Sequence, residues 1–211
     1  MRRAGTEEGT VMAEMNRISR FFVNTFSVRR NARIYGWLAK NIALPAEAEC
    51  LEIGCGNGDM AARIVDGMHP ARYVATDLDP KQLESAKRHL ATRHPDGIPP
   101  ALELRAADML HLPFADASFD AVFAFVAVHH ASPSHHDFTN VPHALAEIDR
   151  VLRPRGMLAY EEIAHKEGIR SWLIDRGYVL TGIELGWKRE AVVATKAAGV
   201  GPELTGSRDR G

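Results

Sequence analysis

Nine residues constrain this chain more than any others: Leu51-Glu52-Ile53-Gly54-Cys55-Gly56-Asn57-Gly58-Asp59. An acidic residue is followed by glycines at alternate positions, between an apolar run and an amphipathic one. Glycine lacks a Cβ, so it accepts positive φ and lets the backbone approach a ligand closely. Three glycines at this spacing form a bare backbone shelf where a strand hands over to a helix. Open α/β sheets bind ligands at the carboxyl ends of their strands. A dinucleotide fingerprint needs G-x-G-x-x-G, but Asp59 stands where its third glycine belongs. A phosphate-cradling loop needs G-K-[ST] at its end, and that is also missing.

The flanking sequence supplies alternating strands and helices. Apolar residues at Met15, Ile18, Phe21, Phe22 and Phe26 predict a helix over 14–27, and Ile34, Tyr35, Trp37 and Leu38 predict a second over 31–41. Strands are expected at 49–53, 72–76, 101–106, 119–128 and 157–163, with helices at 59–68, 81–93, 140–152 and 169–176. The almost unbroken apolar run 119–128 marks a strand buried on both faces of a parallel sheet. Strands at 178–186 and 190–195 are close enough to pair as a hairpin. The expected fold is α/β: a Rossmann-like, seven-stranded, mostly parallel sheet with helices on both faces, a C-terminal antiparallel β-hairpin and an N-terminal helical cover. Residues 1–13 read as a disordered leader and 14–196 as one domain, divided into a cover (14–45) and a Rossmann-like core (46–196). Residues 197–211 read as a flexible tail.

E-x-G-x-G-x-G resembles motif I of the class I S-adenosylmethionine-dependent methyltransferases. Ala107-Asp108-Met109 with Leu112-Pro113-Phe114 is similar to a later motif of that family, and Phe114 to Val122 to its "LPF-x-D-x-SFD-x-V" run. The helix ending Glu147-Ile148-Asp149-Arg150-Val151-Leu152-Arg153-Pro154-Arg155-Gly156 is a further resemblance. Together these cover Leu51 to Glu161. The resemblance implies S-adenosylmethionine as cofactor and methyl transfer to a small-molecule acceptor by in-line displacement.

It also implies a set of cofactor-binding residues. Gly54, Cys55, Gly56 and Gly58 would form the shelf beside the methionine portion, with Glu52 fixing loop amides or a water on the amino group. Leu78 would lie against the adenine ring. Asp108 and the Met109 amide would meet the ring's edge, and the backbone around Phe125 the amino group. Asp77 can be read from its place alone: it ends a strand 19 positions after Gly58. A carboxylate there can accept from both hydroxyls of a ribose, which says adenosine without saying which kind. Asp79 suits the helix N-cap ahead of Pro80.

The sulfonium supplies its own leaving group, so a base is needed only where the acceptor must lose a proton. His130 is the first candidate and His129 the second, with His135, His136 and His143 nearby. The histidines sit in a Ser-Pro-Ser loop that lacks the spacing of a metal site, so no metal is expected. Glu161 and Glu162 end the fifth strand at the pocket rim, where alternation sends one to the acceptor and the other to solvent. Phe21, Phe22, Phe26, Tyr35 and Trp37 could line an acceptor pocket, and Arg29, Arg30 and Arg33 could meet an acidic acceptor. Core packing and a solvated helix face are the plainer readings.

Bulk properties limit the partners. The chain has 211 residues, 25% of them charged, with a net charge of −1. No basic patch marks a nucleic-acid partner, and no apolar run reaches the ~20 residues of a membrane span. Two cysteines, Cys50 and Cys55, too close together to staple a domain, fit a cytoplasmic setting; Cys55 reads as a small filler in a tight turn. A homodimer is left open. Two rivals stay in view: an NAD(P)-dependent Rossmann oxidoreductase, and a non-catalytic module that binds S-adenosylmethionine.

Overall fold

The computed structural model describes residues 17–134, 136–184 and 189–198, with the side chains of 17–27, Ile183 and Glu184 excepted. Expectations for the leader, for the side chains of Phe21, Phe22 and Phe26, for His135, for the hairpin turn and for 199–211 lie outside those residues.

Element order is α1 (Arg17–Asn41), β1 (Glu49–Ile53), α2 (Asp59–Met68), β2 (Arg72–Asp77), α3 (Pro80–Arg93), β3 (Leu102–Ala106) and β4 (Phe119–Phe125). A 3-10 turn (Val128–Ala131) follows, then α4 (Val141–Val151), β5 (Leu152–Glu162), α5 (Lys166–Asp175), β6 (Val179–Glu184) and β7 (Glu190–Thr195). The strands form one sheet in the order β3-β2-β1-β4-β5-β7-β6. β1 to β5 run parallel, and β7 is antiparallel to both β5 and β6. This is the seven-stranded, mostly parallel sheet with a terminal hairpin that the sequence predicts. Strand order reverses at the β1/β4 seam, where open sheets carry their ligand crevice.

Strand alternation sorts the core onto two faces. Cys50, Tyr73, Ala75, Phe123 and Ala159 pack with Ile34 and Leu38 of α1, with Met60 and Ile64 of α2 and with Leu90 of α3. Leu51, Val74, Val122, Leu158 and Tyr160 pack with Leu145 and Ile148 of α4 and with Ile169 and Leu173 of α5. Asp79 caps α3, its carboxylate accepting the Lys81 N–H, with Pro80 in the first turn, as expected.

Three expectations need correction. The two N-terminal helices are one continuous helix, α1; Val28-Arg29-Arg30 contains no breaker, and arginine is a good helix former. The fourth strand stops at Phe125 and does not reach Val128, because Val126 takes φ 58° and turns the chain into the 3-10 segment. Apolar composition continues through that turn because the turn is itself buried. The fifth strand starts at Leu152, well before Met157, and pairs with β4 through a register shift between Phe119 and Ala121.

Leu38 is 1% exposed, deep between α1 and the sheet. Leu38→Ala should therefore cost about 2–5 kcal/mol of stability in urea unfolding. A loss well under 1 kcal/mol would mean that α1 does not belong to the folded unit.

Candidate functional site

Each glycine of the loop answers a different constraint. All three take positive φ (68°, 55° and 75° at Gly54, Gly56 and Gly58). A Cβ on Gly54 would stand 2.8 Å from the Ala127 Cβ, so that glycine lets the exit of β4 lie against the loop. A Cβ on Gly58 would stand 3.1 Å from Ala86 of α3. Gly56 is the opposite case: a Cβ there would meet nothing within 4 Å, so its backbone faces open space.

The loop and the end of β2 are joined. Gly56 N–H donates to Asp77 Oδ2 at 2.9 Å and Asp79 N–H to Oδ1 at 3.0 Å, while Cys55 N–H donates to the Thr76 carbonyl at 2.8 Å. Gly56 and Asp77 thus border one crevice. Partial burial raises the Asp77 carboxyl above its usual range, and the two amides oppose that shift. Leu78 next to it is 40% exposed.

One strand further out, β3 pairs Ala106 with Asp77. Asp108 follows in a turn where its Oδ1 accepts the Leu110 N–H at 2.9 Å, and the Met109 side chain is buried. Asp108 is therefore next in line from Asp77 along the sheet's carboxyl edge. Phe125, on the other side of β1, is buried and stacks on Phe123 at 6.1 Å.

Glu52 is fully enclosed on the α2 face. Its donor is the Tyr73 hydroxyl at 3.0 Å, and the amides of Cys55 and Gly56 bond to β2, so of the two expected roles the one on these loop amides is not seen. Burial, reinforced by Asp77 and Asp59, pushes its carboxyl up to about 8. Cys50 and Cys55 are both free and buried. Burial pushes the Cys50 thiol up to about 12 and the Cys55 thiol well above its ordinary range, which disfavours the thiolate a nucleophile needs.

Beyond β4, the ranking of the two histidines meets an unexpected arrangement. His130 is exposed, whereas His129 is buried with Nδ1 2.6 Å from Glu162 Oε2. Glu162 Oε1 also accepts the Val128 N–H at 2.7 Å and the Ala127 N–H at 3.1 Å. The expectation that either Glu161 or Glu162 faces solvent is wrong, since both are wholly buried. They do alternate, but each face of β5 is covered. Glu162 turns to the 3-10 segment, while Glu161 meets Arg30 of α1 at 3.4 Å and Arg189 at 3.2 Å. His136 and His143 are exposed, and among the described residues no group of three metal-ligating side chains converges.

The sequence reading missed two polar hubs. Asp59 is buried and accepts from Asn31 Nδ2 of α1 and from Arg63 Nε, each at 2.9 Å, which fastens the cover helix to the start of α2. Nothing in the sequence marks Asn31. Arg150, treated as part of a helix resemblance, donates to the carbonyls of Phe114 (2.8 Å) and Leu112 (3.0 Å) and to the Asp116 carboxylate (2.9 Å). Glu147 receives the Leu112 N–H at 2.7 Å and holds Arg150 itself. The segment after Asp108 is thereby pinned from α4.

A glycine shelf over the seam of a 3-2-1-4-5-7-6 sheet, with carboxylates closing two adjacent strands, defines a class I methyltransferase fold. The family model for the methyltransferase domain matches residues 51–160, and the chain belongs to that family. A similar curated protein is the phthiotriol/phenolphthiotriol dimycocerosates methyltransferase of Mycobacterium leprae, 32% identical over 148 residues, or 70% of this chain and 49% of the relative. The chain thus spans about half the length of the curated relatives it matches. Solved structures that share the fold include the following two. A Pyrococcus horikoshii protein matches with TM-score 0.72 at 15% identity, over 87% of this chain and all of that one. A SAM-dependent methyltransferase from Aquifex aeolicus matches with TM-score 0.67 at 16% identity, over 86% of this chain and 99% of that one. S-adenosylmethionine is the cofactor for which the Aquifex aeolicus protein is named. The crevice fits it: open space lies over the Gly56 backbone and a carboxylate stands beside it at Asp77.

Glu52 yields a prediction whose sign is fixed. Its folded-state pKa is raised to about 8 from about 4.3 in the unfolded chain. The stability it contributes is therefore full below about pH 4 and lost as pH rises through 8. Glu52→Gln should gain on wild type between pH 5 and pH 8, by an amount on the order of a few kcal/mol at about 1.4 kcal/mol per pKa unit. Thermal melts across that range measure it, and a pH-independent difference would rule out a neutral Glu52.

Proposed function

We propose that this chain binds S-adenosylmethionine in the crevice over Gly56 and transfers its methyl group to a small-molecule acceptor. The observation that carries the reading is the Gly56 N–H bonded to Asp77, which brings the bare loop and the adenosine-type carboxylate to one place. Bound there, the cofactor supplies an electrophilic methyl group and its own leaving group.

The chain's residues then bind and orient. Asp77 would hold the ribose hydroxyls, and Leu78, with its exposed side chain, would cover the adenine. Asp108 and Met109 would meet the ring's edge on a segment stiffened by Arg150 and Glu147. Gly54, Cys55, Gly56 and Gly58 would run beside the methionine portion, with Phe125 across the seam and Glu52 beneath it. His130 and His129 are the candidate bases, and the carboxylate partner of His129 favours His129 on this geometry. Holding the acceptor in line and dry is the main catalytic task, and α1 is placed to serve as a cover, fastened through Arg30 and Asn31.

The Mycobacterium leprae relative is named for phthiotriol and phenolphthiotriol dimycocerosates, which supports a small-molecule acceptor for this chain. Two free, buried cysteines suit a cytoplasmic setting, and no helix among the described residues is long and apolar enough to cross a membrane. An NAD(P)-dependent oxidoreductase is disfavoured because Asp59, at the third glycine position, is an anchor point for α1. A module that binds the cofactor without turnover would show affinity and no transfer.

Calorimetry with S-adenosylmethionine and with NAD separates these readings: binding of the first and not the second is expected. Asp77→Ala should weaken S-adenosylmethionine by about 2 kcal/mol, roughly thirtyfold in Kd. An unchanged Kd would remove Asp77 from the site.

A further inference from the structure

We propose that Glu162 is a positioning residue for the amino-acid end of the cofactor. Its carboxylate turns the chain after β4 so that the Phe125 and Val126 carbonyls face the glycine loop, where they accept from an α-ammonium group. This rests on the methyltransferase reading and adds to it a residue that sets affinity for one part of the cofactor and not for the rest.

The first observation is where the N–H groups go. Val126 N–H donates to the Glu161 carbonyl at 2.7 Å. Glu162 Oε1 accepts the Ala127 N–H at 3.1 Å and the Val128 N–H at 2.7 Å. Its other oxygen is held by His129 Nδ1 at 2.6 Å and by the Ile163 N–H at 3.3 Å. A trans peptide sets each carbonyl opposite to the N–H that follows it, and no peptide bond among the described residues is cis. The N–H groups of Val126 and Ala127 are drawn to the end of β5, so the Phe125 and Val126 carbonyls point the other way, toward β1.

The second observation is proximity. A Cβ on Gly54 would fall 2.8 Å from the Ala127 Cβ, so the turn rests on the glycine loop. Ile53 pairs with Ala124, which puts the two carbonyls at the β1/β4 seam, two strand spacings, about 10 Å, from the end of β2. With the adenosine seated at Asp77 and Asp108, the cofactor's amino-acid arm crosses β1 to reach them. The third observation is strain. Val126 is β-branched and takes φ 58°, a conformation that persists only where the surroundings hold it. Removing the carboxylate frees the two amides and lets Val126 return to extended backbone, which swings both carbonyls off the seam.

The chemistry of the ligand matches. An ammonium is a donor only, and hydrogen bonds from a charged donor are stronger than those between neutral groups. Glu162 is 0% exposed and acts through the backbone it holds. A carboxylate suits the task because both of its oxygens accept, one serving the turn's amides and the other His129 and Ile163. Glutamine in its place keeps an oxygen for the amides but turns an NH₂ group toward the Ile163 N–H. Alanine holds neither. The two substitutions should therefore act in graded order.

Calorimetry on the full chain tests this with three ligands: S-adenosylhomocysteine, the same molecule without its α-amino group, and 5′-methylthioadenosine, which lacks the amino-acid arm. Wild type should bind the first about tenfold or more tighter than the second. In Glu162→Ala that preference should fall to about twofold or less, with the Kd for methylthioadenosine within about twofold of wild type. Glu162→Gln should lie between. A site loosened as a whole would weaken all three ligands together; that result overturns the proposal, as does an undiminished preference for the amine. Carbon-13 carbonyl NMR puts the same question to the unsubstituted chain. The Phe125 and Val126 carbonyl signals should move with S-adenosylhomocysteine and stay in place with its deaminated analogue. Signals that move equally with both, or with neither, overturn the proposal even if the alanine variant does not fold. Failure of wild type to bind S-adenosylmethionine and S-adenosylhomocysteine at all overturns the methyltransferase reading instead.

Discussion

The bond from the Gly56 N–H to the Asp77 carboxylate is the contact around which this end of the molecule is organised. It ties the loop after β1 to the end of β2, and it leaves one face of the loop backbone open. Neither partner could be exchanged simply. A side chain at Gly56 would enter the open crevice, and an apolar residue at 77 would release the amides of both Gly56 and Asp79. The glycine pattern and the acid 19 positions later are therefore one device written in two places.

The end of β5 carries a second device. Two consecutive glutamates, buried on opposite faces of one strand, each recruit a different part of the chain. Glu161 draws in α1 through Arg30, and burial lowers the pKa of that guanidinium despite the carboxylate beside it. Glu162 fixes the turn after β4 and its histidine. Burying two carboxylates side by side is unfavourable unless each is paired and hydrogen-bonded. The sheet thereby sets the position of both its cover and its histidine turn from adjacent residues.

Much of this was legible in the sequence because it depends on local rules. The glycine loop, the acid after β2, the alternation of strands and helices and the closing hairpin all follow from short-range patterns, and so does Asp79 as a cap. The errors share another origin. The break expected before Asn31 was an inference from apolar spacing alone, and the backbone had no reason to stop. The overlong fourth strand came from reading burial as strand, when the residues past Phe125 are buried in a turn held by a carboxylate 36 positions from Val126. Periodicity carries no information about such a partner. The roles of Asn31, Glu161 and Glu162 were hidden for the same reason: each is defined by a residue distant in sequence.

Arg150 has a consequence of its own. One flat guanidinium serves two backbone oxygens and two carboxylates at once, with Nε and Nη1 and Nη2 all engaged. An ammonium on a flexible stem concentrates its donors at a single point and cannot reproduce that fan of directions. The segment leading from Asp108 to Phe119 is thus keyed to the shape of an arginine and not merely to its charge, and a lysine at this place would keep the electrostatics while losing the template.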